Sequence, residues 1–374
     1  MNGMAKALVL LALFVLSGSV CVPTLVGGRP DIQKIILPDG FTISIYAEGV
    51  TNARAMCWGD KGTLFVGSRS EGVVHALRDT NGDGKADEHV VIAEKLNMPV
   101  GVAFKNGSLY VSAVGQILRY DNIEDDLSAP PAPVVVTDAY PTEKHHGWKF
   151  IAFGPDDKLY VPVGAPCNIC LSEDPIYASI TRIDSDGSGR EIIAHGVRNT
   201  VGFDWHPETG ELWFTDNGRD MMGDNVPDCE LNRLAVEGSH FGYPFCHAPD
   251  VTDPKFGEQR ACSEFVKEAA VMGPHTAPLG MRFYTGDQFP EKYHNAIFIA
   301  QHGSWNRTEP IGYRVVVAYP QPDGSARTEV FAEGWLEGSS AWGRPVDVLI
   351  APDGSLLVSD DAADMIYRIG YKGK

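Results

Sequence analysis

The stretch VGFDWHPETGELWFTDNG (201–218) holds two short apolar runs, VGFDW and ELWFTD, joined by HPETG. Aromatic and β-branched residues flanking a Pro and Gly turn predict a β-hairpin. The same pattern recurs as RAMCWGDKGTLFVGS (54–68), PVGVAFKNGSLYVSA (99–113) and KFIAFGPDDKLYVPVGA (149–165). It returns as MRFYTGDQFPEKYHNAIFIAQHGS (281–304) and PVDVLIAPDGSLLVSDD (345–361). Several copies are followed by a third strand: GVVHAL, GQILRY, ITRI, RVVVAY and MIYRI. Copies repeating every ~45 to 85 residues, without a long amphipathic helix, predict an all-β six-bladed β-propeller of four-stranded antiparallel blades.

Closure explains why such a repeat folds. A single blade exposes two sheet edges and two apolar faces, whereas a ring of blades buries the faces against one another. FTISIYAEG (41–49) precedes the first copy without a blade of its own. It is expected to supply the outer strand of the last blade, so that residues 30–374 form one domain. An insertion of about 235–280 is expected between blades four and five, shaping the pocket there.

Composition sets outer limits. Of 374 residues 44% are apolar, ample for a core, and 40 Gly with 25 Pro signal many turns. A net charge of −18 argues against nucleic acid or an anionic membrane as partner. At the N-terminus, Lys6, the apolar run ALVLLALFVL (7–16) and Ser17-Gly18-Ser19 have the order of a secretory signal. Residues 1–26 are therefore read as a signal peptide, its run too short to span a bilayer, and the mature chain as exported, periplasmic or secreted. Bulky Val20 argues against a lipid-modified Cys21. Six further cysteines in an exported protein favour disulfides. CNIC (167–170) is read as a local disulfide and Cys57, inside an apolar strand, as a buried free thiol.

In a propeller the loops at one end converge on the axis, so polar residues at equivalent ends of different blades meet. His145 and His146 precede the third copy, in EKHHGWKFIAFGP. Either they are surface loop residues or one is a general base at the channel mouth. Arg198-Asn199 and Arg344 precede the fourth and sixth copies, and Arg307 follows a strand of the fifth. Three arginines from different blades would make a cationic pocket for a polyanionic small ligand, because guanidinium forks pair bidentately with carboxylates. DTNGDGKAD (79–87) places Asp79, Asn81, Asp83 and Asp87 at alternating positions around a Gly turn. That is half an EF-hand-like loop with Val90 where Glu would close it; a structural calcium turn and a plain Asp-Gly turn both satisfy it.

Together, HGWKFIAFGPDDKLYVPVGAPCNIC, GVRNTVGFDWHPETGELWFTDNGRD, ELNRL, HFGYPFC, HGSWNRTEPIGYRV and RPVDVLIAPDGSLLVSDD resemble the soluble pyrroloquinoline quinone (PQQ)-dependent sugar dehydrogenases, most closely the glucose/sorbosone dehydrogenase-like branch. The resemblance runs from about residue 37 to 369. It implies PQQ lying over the axis of the ring, held by arginines and Ca2+. By spacing it implies His146 as the general base, with Arg198 and Asn199 over the quinone and Arg344 and Arg307 as further cofactor ligands. It implies calcium on the carbonyls of Gly218 and Arg219, and a second calcium at Glu230. The implied reaction oxidises a small sugar, an aldose or sorbosone-like substrate, and passes electrons to an external acceptor, a cytochrome or quinone. One departure stands out: the family Asp that orients the His is Ala165 here. Two alternatives follow. A calcium-dependent lactonase is disfavoured by the arginines, and a non-catalytic propeller binding a protein or glycan is kept open by Ala165.

Overall fold

The computed structural model describes Thr24–Leu25 and residues 31–373. The signal-peptide reading and Cys21 lie outside the described residues, apart from Thr24–Leu25, which pair with Ser340–Ala341. Most of the rest forms six sheets around an axis, each built on four antiparallel strands. Blade I comprises Ala53–Trp58, Leu64–Ser68, Val74–Arg78 and Glu88–Ala93. Blade II comprises Val102–Lys105, Ser108–Ala113, Gln116–Tyr120 and Val134–Thr137. Blade III begins Ala152–Phe153, Leu159–Val163, Ser179–Ile183 and Glu191–His195. Blade IV is Phe203–Trp205, Leu212–Asp216, Asp228–Leu234 and Ala270–Pro274. Blade V is Pro278–Phe283, Ile297–Gln301, Arg314–Pro320 and Ala326–Ala332. Blade VI runs Pro345–Ile350, Leu356–Asp360 and Met365–Tyr371, and its outer strand is Phe41–Glu48, as expected from closure.

The second strands of blades I, III, IV, V and VI are buried at every residue, whereas the outer strand Glu88–Ala93 is exposed at Glu88, His89 and Val91. Each second strand has a neighbouring blade on both faces, so its sequence reads as a continuous apolar run. The core is accordingly divided between blades. Tyr46, Met56, Leu64, Val66, Leu357 and Ile366 join blades VI and I, while Phe65, Val74, Val102, Leu109 and Val111 join I and II. The first strands are innermost and contact one another around the axis. There is no room for side chains where they cross: a Cβ on Gly202 would lie 2.1 Å from the Leu279 carbonyl oxygen.

Two details differ from the sequence expectation. Ser239–His240 adds a fifth strand to blade III, parallel to Glu191–His195. The insertion belongs inside blade IV, between its third and fourth strands, since Ala270–Pro274 pairs with Asp228–Leu231. The intervening apolar residues left no repeat signal, so the late return to the sheet was invisible. Cys167–Cys170 is a disulfide as expected, and Cys246–Cys262 is a second. Cys57 is a free, partly buried thiol and Cys229 a buried one. Among the described residues no helix is long and apolar enough to cross a membrane.

Candidate active site

Where the second strands end, a cavity of about 650 Å³ opens at one end of the axis. The residue that follows the second strand is Arg69, Val114, Gly164, Asn217, His302 and Asp361 in blades I to VI. Propeller symmetry brings this one sequence position to a ring. Arg69, Asn217 and His302 line the cavity directly.

His146 is 8% exposed and lies in the cavity wall. Its Nδ1 is 2.9 Å from the Ala165 carbonyl oxygen. A carbonyl only accepts, so Nδ1 carries the proton and Nε2 is left with its lone pair. Burial, then the Arg198 charge and His145, hold its pKa well below the ordinary histidine value, which keeps the ring neutral. The His146 backbone is left-handed (φ 49°). Gly164 makes room for it, since a Cβ there would meet the His146 Cβ at 2.5 Å. The orienting role expected of a carboxylate at position 165 thus falls to the Ala165 backbone carbonyl. The Ala165 N–H also donates to the Arg198 carbonyl (2.8 Å), so the backbone of one residue touches both His146 and Arg198.

Asp216, the last residue of blade IV's second strand, accepts from the Arg198 N–H (2.8 Å) and the Asn199 N–H (2.6 Å). Asp360 does the same in blade VI, accepting from the Arg344 N–H at 2.8 Å. A buried Asp closing each strand therefore fixes the loop that carries the functional side chain. The Arg198 guanidinium donates to the carbonyls of Asn217 (3.0 Å) and Gly218 (2.9 Å) and to Asp220 (3.1 Å). Arg344 donates to the carbonyls of His302 (3.1 Å) and Gly303 (2.9 Å).

Several lining residues were missed by sequence reasoning. Arg54 pairs with Asp361 (2.7 Å), which accepts from His302 Nε2 on its other oxygen (2.7 Å). Burial works against the Asp361 carboxylate, but His302 and Arg54 beside it hold its pKa below the usual range. Arg69 stacks on Trp148 at 4.0 Å. His275 donates from Nε2 to the Gly223 carbonyl (2.8 Å), leaving Nδ1 toward Asp220 at 4.0 Å. The signal that finds Arg69, His302 and Asp361 is their shared place after the second strand, which requires the strand ends to be known. Arg54 reads as an ordinary strand residue.

Arg54, Arg69, Lys144, Arg198 and Arg344 line the cavity against one carboxylate, Asp220. In a chain of net charge −18 this is a concentrated positive field. The Arg54 Nε and Trp148 Nε1 are buried without a partner. Unpaired buried donors beside excess cations fit a polyanionic ligand.

Other expected residues lie elsewhere. Arg307 donates to the Asp224 and Glu309 carbonyls and to Asn225, outside the cavity lining, because its loop folds back on residues 224–225. Gly218 lies at the cavity, whereas the Arg219 side chain is turned away to a buried ion pair with Asp253. Glu230 faces Asp216 across the strand pair, and burial together with that carboxylate raises its pKa. Asn232 donates to it at 2.8 Å, while the Asn232 Oδ1 is buried without a partner. Asp79, Asn81, Asp83 and Asp87 form a turn at the opposite end of the blades, their oxygens accepting backbone N–H groups of the loop itself. Among the described residues no group of three or more His, Cys, Asp or Glu is arranged to hold a metal. Any cation at Gly218 would therefore rest on carbonyl oxygens, the hard donors that calcium prefers.

A Hypocrea jecorina protein named pyrroloquinoline quinone-dependent sugar dehydrogenase is 24% identical over 364 residues, 81% of this chain and 82% of that one. The holo PQQ domain of pyranose dehydrogenase from Coprinopsis cinerea superposes with a TM-score of 0.75 at 19% identity, covering 92% of this chain and 98% of that one. An uncharacterized Borreliella burgdorferi protein is 30% identical over 362 residues, 90% of each chain. Residues 29–368 match the family described as domain of unknown function DUF7133. The chain therefore belongs to the DUF7133 family and is related to the PQQ-dependent sugar dehydrogenases.

Proposed function

We propose that this protein is a PQQ- and calcium-dependent sugar dehydrogenase, with His146 as general base. The observation that carries the reading is a neutral His146, its Nδ1 proton fixed on the Ala165 carbonyl, in a cavity ringed by arginines from different blades. When bound, PQQ would supply the two-electron acceptor for the sugar's carbon-bound hydrogen, and calcium would polarise its carbonyl.

The protein's part is binding, orientation and proton transfer. Arg54, Arg69 and Arg344 offer guanidinium donors for the cofactor's carboxylates, and Trp148 offers an indole N–H. Arg198 and Asn199, held by Asp216, face the same space. Gly218 and Arg219 offer main-chain oxygens for calcium, and Glu230 with Asn232 offers a second oxygen set. A sugar hydroxyl placed at His146 Nε2 gives up its proton there as its carbon loses hydride. The imidazolium that forms is disfavoured by burial and by Arg198. A bound polyanion would offset that cost, linking proton abstraction to the loaded site. Electrons then pass to an external acceptor, and the N-terminal signal sequence would place the reaction outside the cytoplasm. A lactonase would need a protein-held metal in the channel, which the surplus of cations repels.

Reconstitution tests this directly. PQQ and calcium are added to the purified protein, and dye reduction is followed with aldoses, sorbosone and uronic sugars. A PQQ spectral shift with reduction by at least one sugar is expected. Neither a shift nor reduction with any sugar overturns the assignment. Arg344→Ala should mainly weaken PQQ binding, by about 10- to 100-fold for one lost charge-assisted pair.

A further inference from the structure

Arg198 spends all five of its N–H donors on the protein, and two of them go to one residue. Its Nε donates to the Asn168 carbonyl (3.0 Å) and its Nη2 to Asn168 Oδ1 (2.9 Å). The remainder go to Asn217, Gly218 and Asp220. Asn168 also grips the backbone of Asp220 in both directions. Its Oδ1 accepts the Asp220 N–H (2.8 Å) and its Nδ2 donates to the Asp220 carbonyl (3.0 Å). The Asn168 side chain thus acts like a peptide group added beside residue 220. It belongs to blade III's exit loop, and everything it holds belongs to blade IV.

What keeps that loop in place is also visible. Asn168 lies between Cys167 and Cys170, which are joined by a disulfide. The Cys170 N–H donates to the Tyr243 hydroxyl at 3.0 Å, anchoring the loop to the blade IV insertion. A short covalent ring has little conformational freedom to lose, so its tip can present an amide at low entropic cost. Asn168 does not line the cavity, but Arg198, Gly218 and Asp220 do.

We propose that Asn168, fastened by the Cys167–Cys170 loop, is a positioning residue that sets the Arg198 guanidinium and the Asp220 carboxylate in the cavity wall. The inference rests on the proposed role of Arg198. It gives CNIC a structural role beside the site: the disulfide fastens an asparagine.

The test compares wild type, Asn168→Ala, Asn168→Asp and Cys167→Ser/Cys170→Ser, each first without cofactor and then with PQQ and calcium. In the cofactor-free proteins, hydrogen exchange of the segment 217–222 is measured together with Tm. N168A should speed exchange at Asp220 by about tenfold or more for a lost buried bond, with little change in Tm. With cofactor, N168A should lower kcat by about 10- to 100-fold while leaving the sugar KM close to wild type, the size seen when an orienting partner is removed. N168D keeps the side-chain acceptor for Arg198 and the Asp220 N–H but loses the donor to the Asp220 carbonyl, so it should fall between N168A and wild type in both exchange and kcat. The double serine variant should resemble N168A in exchange. Unchanged exchange at 217–222 in N168A overturns the inference whatever the activity. Faster exchange with unchanged kcat in an active enzyme also overturns it. A wild-type protein with no dye reduction refutes the functional reading instead, while the exchange result still decides whether Asn168 holds the loop.

Discussion

Among single residues, His146 shows how a departure from a family pattern is absorbed. A carboxylate would raise the basicity of the imidazole with a full charge, whereas the neutral Ala165 carbonyl fixes its tautomer and raises its pKa too little to offset burial and Arg198. His146→Gln should therefore keep PQQ binding while losing turnover by about 100- to 10,000-fold, the range for a lost general base. A spectral titration beside steady-state rates measures both. The same residue makes a stability prediction. Its folded pKa is depressed, so in acid the unfolded chain binds the proton more readily. Its contribution is present above the unfolded value of about 6.5 and is lost as pH falls below it. Thermal unfolding of the cofactor-free protein should then fall more steeply in acid for wild type than for H146Q. Parallel curves would mean that the ring is not held neutral. Legibility in the sequence differs residue by residue. His146, Asn199 and Arg344 carried recognisable neighbours and reached the cavity. Arg54 and His302 carried none, because a cation inside a strand and a histidine after one look ordinary until the ring is closed.

The elements matter through their ends. Each second strand delivers one residue to the ring, and in blades IV and VI the preceding Asp216 or Asp360 binds the adjoining loop by its backbone N–H groups. Gly164 is blade III's contribution, and its lack of a side chain is what the element supplies. Gly164→Ala should push His146 off the Ala165 carbonyl, since the added Cβ has no free space. We expect a loss of turnover at least as large as the about tenfold of a misoriented base, with the circular dichroism of the β-sheet unchanged. Normal turnover in G164A would show that the loop tolerates the shift. The insertion could not be placed from sequence for an elemental reason. Between Leu234 and Ala270 the chain leaves blade IV, adds Ser239–His240 to blade III and returns. Hydrophobic periodicity records that a strand exists, not which edge it joins.

For the whole molecule, closure is the event that makes the site. Phe41, on the strand that completes blade VI, packs edge-on against Phe289, Tyr293 and Phe331 of blade V. Phe41→Ala should cost about 2–3 kcal/mol, somewhat less than a fully buried phenylalanine, and should weaken the whole ring because blades V and VI meet there. Chemical denaturation measures this, and a loss under 1 kcal/mol would place closure elsewhere. The sequence by itself determined the repeat, the number of blades and the closing strand, because each follows from local apolar periodicity and turn chemistry. It also marked His146, Arg198, Asn199 and Arg344 through their neighbours. Only the tertiary structure decided which cations share a cavity, that Arg307 is not among them and that Asn168 crosses from blade III to hold Arg198. The physical reason is that these relations join residues of different blades. Their distances depend on the rotation from blade to blade, which no local pattern in the chain encodes.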